Sequence, residues 1–346
     1  MSDARLHVMT AHQPGAIAIV QLAGRDAQAV LATLLHDPPA SWPLGRLRLV
    51  RFGDIDEGLA GRIDDAVFQL MPHGGLRVVS RLIEQLTHAG AEIDDRPPPR
   101  ELYPEAADEL EADMLAAMAA ARSPAALMLL ARQPKLWRPP PEVSPEISLQ
   151  ILQRAAVLDR LCVPPTVVVV GRPNVGKSTL LNTLSGKAAS LVADLPGTTR
   201  DWVGGMVELD FNFADQPEAT TSLAVRWLDT PGLRRSDDRV EQRAIELARS
   251  VIAAADVVVA MRDPDTDWPT PDELPRQPDV RVINKIPLAG SPGDESHALR
   301  IEARSGAGVD ALQHAVVAAL GLGQVRLDEP WAFCPRLKSL CQTIAI

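Results

Sequence analysis

Apolar residues along this chain fall into three successive patterns. Over residues 1–95 they come in short runs: Ala16–Ala23 (AIAIVQLA) and Ala66–Met71 read as strands, and Asp26–Leu35 has helical spacing. After His73-Gly74-Gly75 the stretch LRVVSRLIEQLTHAG predicts a helix ending at Gly90, a residue suited to the turn that closes helices. This is the pattern of a small α+β unit. Arg96–Arg100 (RPPPR) reads as a linker, because successive prolines remove the N–H donors a helix needs. Residues 101–132, rich in Ala, Leu and Glu with apolar positions three and four apart, predict helix. Gln133–Pro145 is a second proline-rich break, and Leu149–Cys162 a further amphipathic helix.

Beyond Cys162 strands and helices alternate to about Leu320, the pattern of a mainly parallel α/β sheet. No internal repeat is visible, and Gly321–Ile346 is too short for a domain. The sequence therefore divides into an α+β unit (1–95), a proline-interrupted helical segment (96–162), an α/β domain (163–322) and a short tail (323–346).

Composition narrows the partners. With a net charge of −10 and pI near 5.2, the chain of 346 residues has no overall cationic field to hold nucleic acid. An RNA partner would have to be held by shape, by a local basic patch or through another protein. Cys162, Cys334 and Cys341 show no metal spacing and read as free thiols of a reducing cytoplasm. The N-terminus lacks a basic stretch followed by an apolar one, so no secretion signal is expected. The most apolar run, Met114–Ala121, stops before Arg122 and Pro124 and is too short to span a bilayer, so no membrane association is expected.

The chemistry starts at Thr166–Val170 (TVVVV), a β-branched run suited to a central parallel strand. It feeds directly into GRPNVGKST, matching G-x-x-x-x-G-K-[ST] at Gly171, Gly176, Lys177 and Ser178. Glycines let backbone N–H groups wrap phosphate where side chains would intrude. Val175, Gly176, Lys177, Ser178 and Thr179 then form the cradle, Lys177 reaches the β/γ oxygens, and Ser178 offers its hydroxyl to Mg²⁺. Downstream, Leu223–Leu228 reads as a strand ending in Asp229-Thr230-Pro231-Gly232. Asp229 there suits a Mg²⁺ ligand, and the Gly232 N–H can approach a γ-phosphate. Between them, Gly197-Thr198-Thr199-Arg200-Asp201 offers Thr199 as a further Mg²⁺ ligand. In this order and spacing the two segments make a GTPase switch pair.

GRPNVGKSTLLNTLSGKAASLVADLPGTTRD followed by DTPGLRRSDDRVEQRAIELA resembles the tRNA-modification GTPase family (MnmE, also called TrmE). The resemblance implies a Ras-like α/β P-loop domain with a mainly parallel sheet, preceded by a small α+β domain and, in this chain, a reduced helical segment. It implies binding of GTP and GDP, hydrolysis, and a role in modifying the wobble uridine of tRNA with a partner protein. Asn174 matches the family's K⁺-coordinating asparagine; such a cation neutralises charge developing on the phosphates. Leu233, where Ras-like enzymes place a water-positioning glutamine, cannot orient water. The family instead uses a glutamate twelve residues after the switch II aspartate, and Glu241 falls there. Asp238 and Glu241 also fit a helix capping box. TAHQPGAIAIVQLAG and PHGGLRVVSRLIEQL resemble the family's folate-binding dimerisation domain, which implies a homodimer. The PGEF-type and NGK-type motifs are missing, so folate is not expected.

Two departures alter the expectations. The guanine box, Asn-Lys-x-Asp in the family, is Asn284-Lys285-Ile286-Pro287, and proline offers no carboxylate to the base. Losing charge-assisted hydrogen bonds of roughly 1.5–3 kcal/mol apiece relaxes guanine selection. The next base-contacting loop is Glu302-Ala303-Arg304, where the Ala303 N–H is expected to serve the base. The family's Cys-x-Gly-Lys tail is not recognisable in FCPRLKSLCQTIAI. Two other functions fit the same motifs: a nucleotide-binding scaffold with little turnover, and a regulatory switch of the ribosome-assembly type exemplified by Era and Der.

Overall fold

The computed structural model describes residues 3–10, 13–35, 39–138, 144–186, 203–230, 239–285 and 297–345, with the backbone alone of residues 40, 203 and 239–245. The chain divides into two compact units, Met1–Ala116 and Ala117–Ile346.

The first unit holds strands β1 (Arg5–Val8), β2 (Val20–Ala23), β3 (Leu47–Phe52), β4 (Asp56–Asp64), β5 (Val67–Met71) and β6 (Glu92–Ile93). They form one sheet in the order β3-β4-β5-β2-β1-β6, antiparallel except where β1 pairs with β6. Helices α1 (Ala27–Ala32) and α2 (Leu76–His88) supply Val30, Leu31, Leu82 and Leu86 to a core shared with Leu6, Leu22, Phe52, Phe68 and Leu70. Each such fully buried side chain contributes about 1.5–3 kcal/mol. Helices α3 (Pro99–Leu102) and α4 (Glu109–Ala120) follow, α4 running across the boundary between the units.

The second unit opens with α5 (Pro124–Leu130), α6 (Gln133–Leu136) and α7 (Pro145–Cys162). The helix expected over 101–132 is thus broken. Pro124 starts α5 because a first-turn residue needs no N–H, and the same proline cannot sit inside a helix. The α/β domain follows as β7 (Thr166–Val170), α8 (Lys177–Ser185), β8 (Val203–Phe213), β9 (Gln216–Asp229), α9 (Arg239–Ala254), β10 (Val257–Arg262), β11 (Val280–Ile283), β12 (Leu299–Arg300) and α10 (Val309–Ala319). Its sheet runs β12-β11-β10-β7-β9-β8, parallel except for the β8–β9 hairpin. The strand expected at Leu223–Leu228 therefore extends well upstream, and β8 beside it was not anticipated.

The last helix, α11 (Pro335–Ala345), returns to the helices before the α/β domain: Lys338 Nζ donates to Asp159 of α7 at 2.7 Å. Trp331 N–H donates to Gln133 Oε1 at 2.7 Å, and Trp137 Nε1 to the Trp331 carbonyl at 3.1 Å. The tail completes a helical layer with α5–α7. All three cysteines are free, with Cys334 and Cys341 buried. Burial pushes the Cys162 thiol up to about 11, which keeps it neutral and unreactive near pH 7. Among the described residues no helix is long and apolar enough to cross a membrane.

Candidate active site

Strand β7 lies at the centre of the second sheet, with β9 on one side and β10 on the other. Strand order reverses there, which opens a crevice at the carboxyl ends of the strands. The loop from Gly171 to Gly176 fills it. A Cβ on Gly171 would lie 2.1 Å from the Met261 carbonyl, and one on Gly176 would lie 2.2 Å from Asn284 Nδ2. Gly176 also takes φ +102°, a conformation that L side chains rarely adopt. The glycines let the loop thread between β10 and Asn284, and α8 starts immediately after them with its unpaired N–H groups facing the crevice.

Lys177 and Asp229 are both buried, and Lys177 Nζ lies 3.8 Å from Asp229 Oδ1. Nζ also donates to the Gly171 carbonyl at 3.2 Å, which curls the side chain back over its own loop. Pairing of Val169 with Asp229 sets the carboxylate beside the phosphate loop, where Ser178 Oγ donates to Oδ2 at 2.6 Å. Burial lowers the Lys177 pKa and raises that of Asp229, while their mutual attraction and the Ser178 bond work the other way. Asp229 Oδ1 is buried without a hydrogen-bond partner. A carboxylate oxygen that accepts no hydrogen bond, next to a hydroxyl, is a hard-oxygen donor set, and it fits Mg²⁺. Among the described residues no group of three His, Cys, Asp or Glu could hold a metal by itself, so phosphate oxygens and water would complete the shell.

Asn174 sits in the loop at φ 65°, exposed, its side chain unbonded among the described residues. Its amide oxygen is therefore open to a ligand. Val175 is fully buried, and Thr179 is exposed on the first turn of α8. Thr199 and Gly232 lie outside the described residues, as do Leu233, Asp238 and Pro287. Glu241 belongs to α9, with its side chain outside the description.

The other end of the site is organised by Asn284. Its Nδ2 donates to the Val175 carbonyl at 2.8 Å, and its Oδ1 accepts from the Ala303 N–H at 2.9 Å. The N–H expected to serve a base is thus engaged within the protein. The Ala303 carbonyl accepts from Thr183 Oγ1 of α8 at 2.5 Å. Lys285, at φ 64°, reaches from the end of β11 to the phosphate loop, donating to the Asn174 carbonyl at 2.7 Å and to Asp263 Oδ2 at 2.7 Å. Hydrogen bonding to Lys285 holds the Asp263 carboxyl below its usual value. Sequence reasoning missed Asp263 and the contact of Arg172 with Glu273 at 2.7 Å. A signal for Asp263 was available: it follows the apolar run Val257–Met261 after the single residue Arg262.

A glycine-bounded loop braced in this way at the reversal of strand order is the construction of the P-loop GTPases, and the chain is one. Residues 166–286 match the family described as 50S ribosome-binding GTPase. The tRNA modification GTPase MnmE of Synechococcus sp. (strain RCC307) is 32% identical over 372 residues, covering 89% of this chain and 78% of that protein. MnmE of Synechococcus sp. (strain JA-3-3Ab) is 30% identical, covering 91% and 81%. Among solved structures, Era in complex with MgGDPNP and a segment of 16S ribosomal RNA is 29% identical, covering 46% of this chain and 56% of that one, with a TM-score of 0.32. The chain belongs to the tRNA modification GTPase MnmE family. It binds GTP and hydrolyses it, with Mg²⁺ as the metal of that family's chemistry.

Proposed function

We propose that this GTPase couples hydrolysis to modification of the wobble uridine of tRNA, together with a partner protein in the cytoplasm. The observation that carries the division of roles is the buried Asp229 Oδ1, which accepts no hydrogen bond, beside Ser178 and Lys177. Lys177 holds the β/γ-phosphate oxygens, while backbone N–H groups from Val175 to Thr179 cradle the phosphates. Ser178 and Asp229 hold Mg²⁺, with Thr199 joining them. Bound there, Mg²⁺ neutralises charge developing on the phosphate oxygens. The Gly232 N–H approaches the γ-phosphate, and Glu241 orients the attacking water through a bridging water. Asn174 holds K⁺, and Asn284, Lys285 and Ala303 bound the base.

The α+β unit suits dimerisation. Leu49 and Leu59 are cross-strand partners on β3 and β4, both exposed, and Leu47 continues the row at the sheet edge. Such an apolar row on an edge strand favours a second copy of the same surface. Its test is the mass in solution of wild type against Leu49→Glu, which should shift from dimer to monomer.

The enzymatic reading is tested by GTP turnover with Mg²⁺ in K⁺ and in Na⁺, for wild type and Glu241→Gln. Turnover should be faster in K⁺ and fall about 10²–10⁴-fold in the variant, the range for a general base or water-orienting group. Tight GTP binding with no turnover in either salt would leave a nucleotide-binding scaffold instead.

A further inference from the structure

A guanine base presents two donors on one edge, the N1–H and the 2-amino group, and a carboxylate is the side chain that accepts from both at once. Position 287, where the family places that carboxylate, is proline. Resting on the GTP-binding reading above, we infer that Glu302 supplies the missing acceptor from the neighbouring loop and is the guanine-specificity residue of this GTPase.

Topology brings Glu302 to the right end of the site. Strand β12 pairs in parallel with β11, and the Ile301 N–H donates to the Ile283 carbonyl at 2.9 Å. Ile283 pairs with Arg300, so Asn284 leaves the sheet beside Ile301, with Glu302 one residue further along. The Asn284–Ala303 hydrogen bond then fixes the Glu302-Ala303-Arg304 loop to the Asn-Lys segment. A second clamp, Thr183 Oγ1 to the Ala303 carbonyl, fixes it to α8. Glu302 is thus one residue from a doubly anchored point at the base end.

Its chemistry is also free for the task. Glu302 is exposed, and its recorded side-chain partner is Ser305, whose Oγ donates to Oε2 at 2.7 Å. Among the described residues Oε1 has no partner and the carboxylate forms no ion pair. Asp263, the other carboxylate at this end, has both oxygens engaged: Oδ2 by Lys285 and Oδ1 by Thr266 Oγ1 at 2.8 Å. Asn284 and Ala303 are engaged with each other and with Val175 and Thr183. Among the described residues at the base end, the polar groups of Asn284, Ala303 and Asp263 are engaged, while Glu302 Oε1 is an open carboxylate acceptor.

The experiment is nucleotide binding to the full chain with Mg²⁺, using GTP, ITP, XTP and ATP on wild type, Glu302→Gln and Glu302→Ala. ITP lacks the 2-amino group, so wild type should bind GTP about 10–100-fold more tightly than ITP, the value of one charge-assisted bond. Glu302→Ala should erase that difference. Glu302→Gln should weaken GTP and strengthen XTP, because its amide N–H meets the carbonyl that xanthine carries at C2. Melting temperature checks that each variant folds, and ATP reports the phosphate contacts alone. A GTP-over-ITP preference that is absent from wild type, or unchanged in both variants, overturns the assignment of Glu302. Failure of wild type to bind any of the four nucleotides would instead overturn the GTP-binding reading, and this inference with it.

Discussion

The two ends of the nucleotide site are built on opposite plans. At the phosphate end, charged groups are buried with valence to spare: Asp229 Oδ1 accepts no hydrogen bond, and Lys177, 3.8 Å away, bends back onto loop carbonyls. At the base end, Asn284 and Ala303 spend their polar groups on each other, on Val175 and on Thr183. A buried unpaired oxygen costs about 1–3 kcal/mol, so it persists where a ligand repays it. A saturated buried network has no such debt and acts as frame. Spare valence therefore marks where ligand binds, and saturation marks what holds the pocket open.

That contrast predicts different failures at the two ends. The largest effect belongs to the phosphate end, where Ser178→Ala removes the proposed Mg²⁺ ligand. GTP turnover should fall roughly 10²–10³-fold in saturating Mg²⁺, with a far smaller effect on melting temperature. At the base end Asn284→Ala should do the reverse. It strands the buried Val175 carbonyl and Ala303 N–H, costing about 2–4 kcal/mol and lowering the melting temperature by about 5–10 °C. If Asn284→Ala kept its stability and lost only activity, the base end would not be a frame. A smaller effect is expected from Asn174→Ala: the rate advantage of K⁺ over Na⁺ should vanish while GTP affinity changes by less than about threefold. Equal rates of wild type in the two salts would remove Asn174 from the cation site.

Legibility in the sequence followed the same division. The phosphate end was readable because short-range spacing encodes it: a strand, two glycines, Lys177 and Ser178 lie within one loop and helix start. The base end was readable only in part, since it is assembled from Val175, Asp263, Asn284 and Ala303, far apart in the chain. Strand β8 was missed although Val207, Leu209, Phe211 and Phe213 alternate toward the core. On β3 the alternation is present but inverted, with Leu47 and Leu49 exposed, and nothing local reveals that a leucine row faces outward. Ala16–Ala23 shortens to Val20–Ala23, because Ile17 makes only an isolated bridge with His73. Asp26–Leu35 shortens to α1 at Ala32, where Thr33 and Leu34 close the helix with turn hydrogen bonds.

The smallest effect tests whether Lys285 is held in the frame by charge. Asp263 is buried at the end of β10, and its carboxylate accepts from Lys285 and from Thr266. The Lys285 bond is the main cause of its lowered pKa, so the folded value lies below the ordinary carboxylate value of 3.8. A group depressed on folding stabilises the native state fully above its unfolded pKa, and that contribution is lost as pH falls through the folded value. The Lys285 side chain is half exposed, so solvent screening limits the interaction, and about 1 kcal/mol is the expected scale. Asp263→Asn keeps the size but cannot be charged. Denaturant unfolding should show wild type more stable than Asp263→Asn by a constant margin from about pH 7 to about pH 5. Below about pH 4 the margin should shrink toward zero. A margin that widens on acidification would mean that the carboxylate is held protonated, and Lys285 would then be fixed by the Asn174 carbonyl alone.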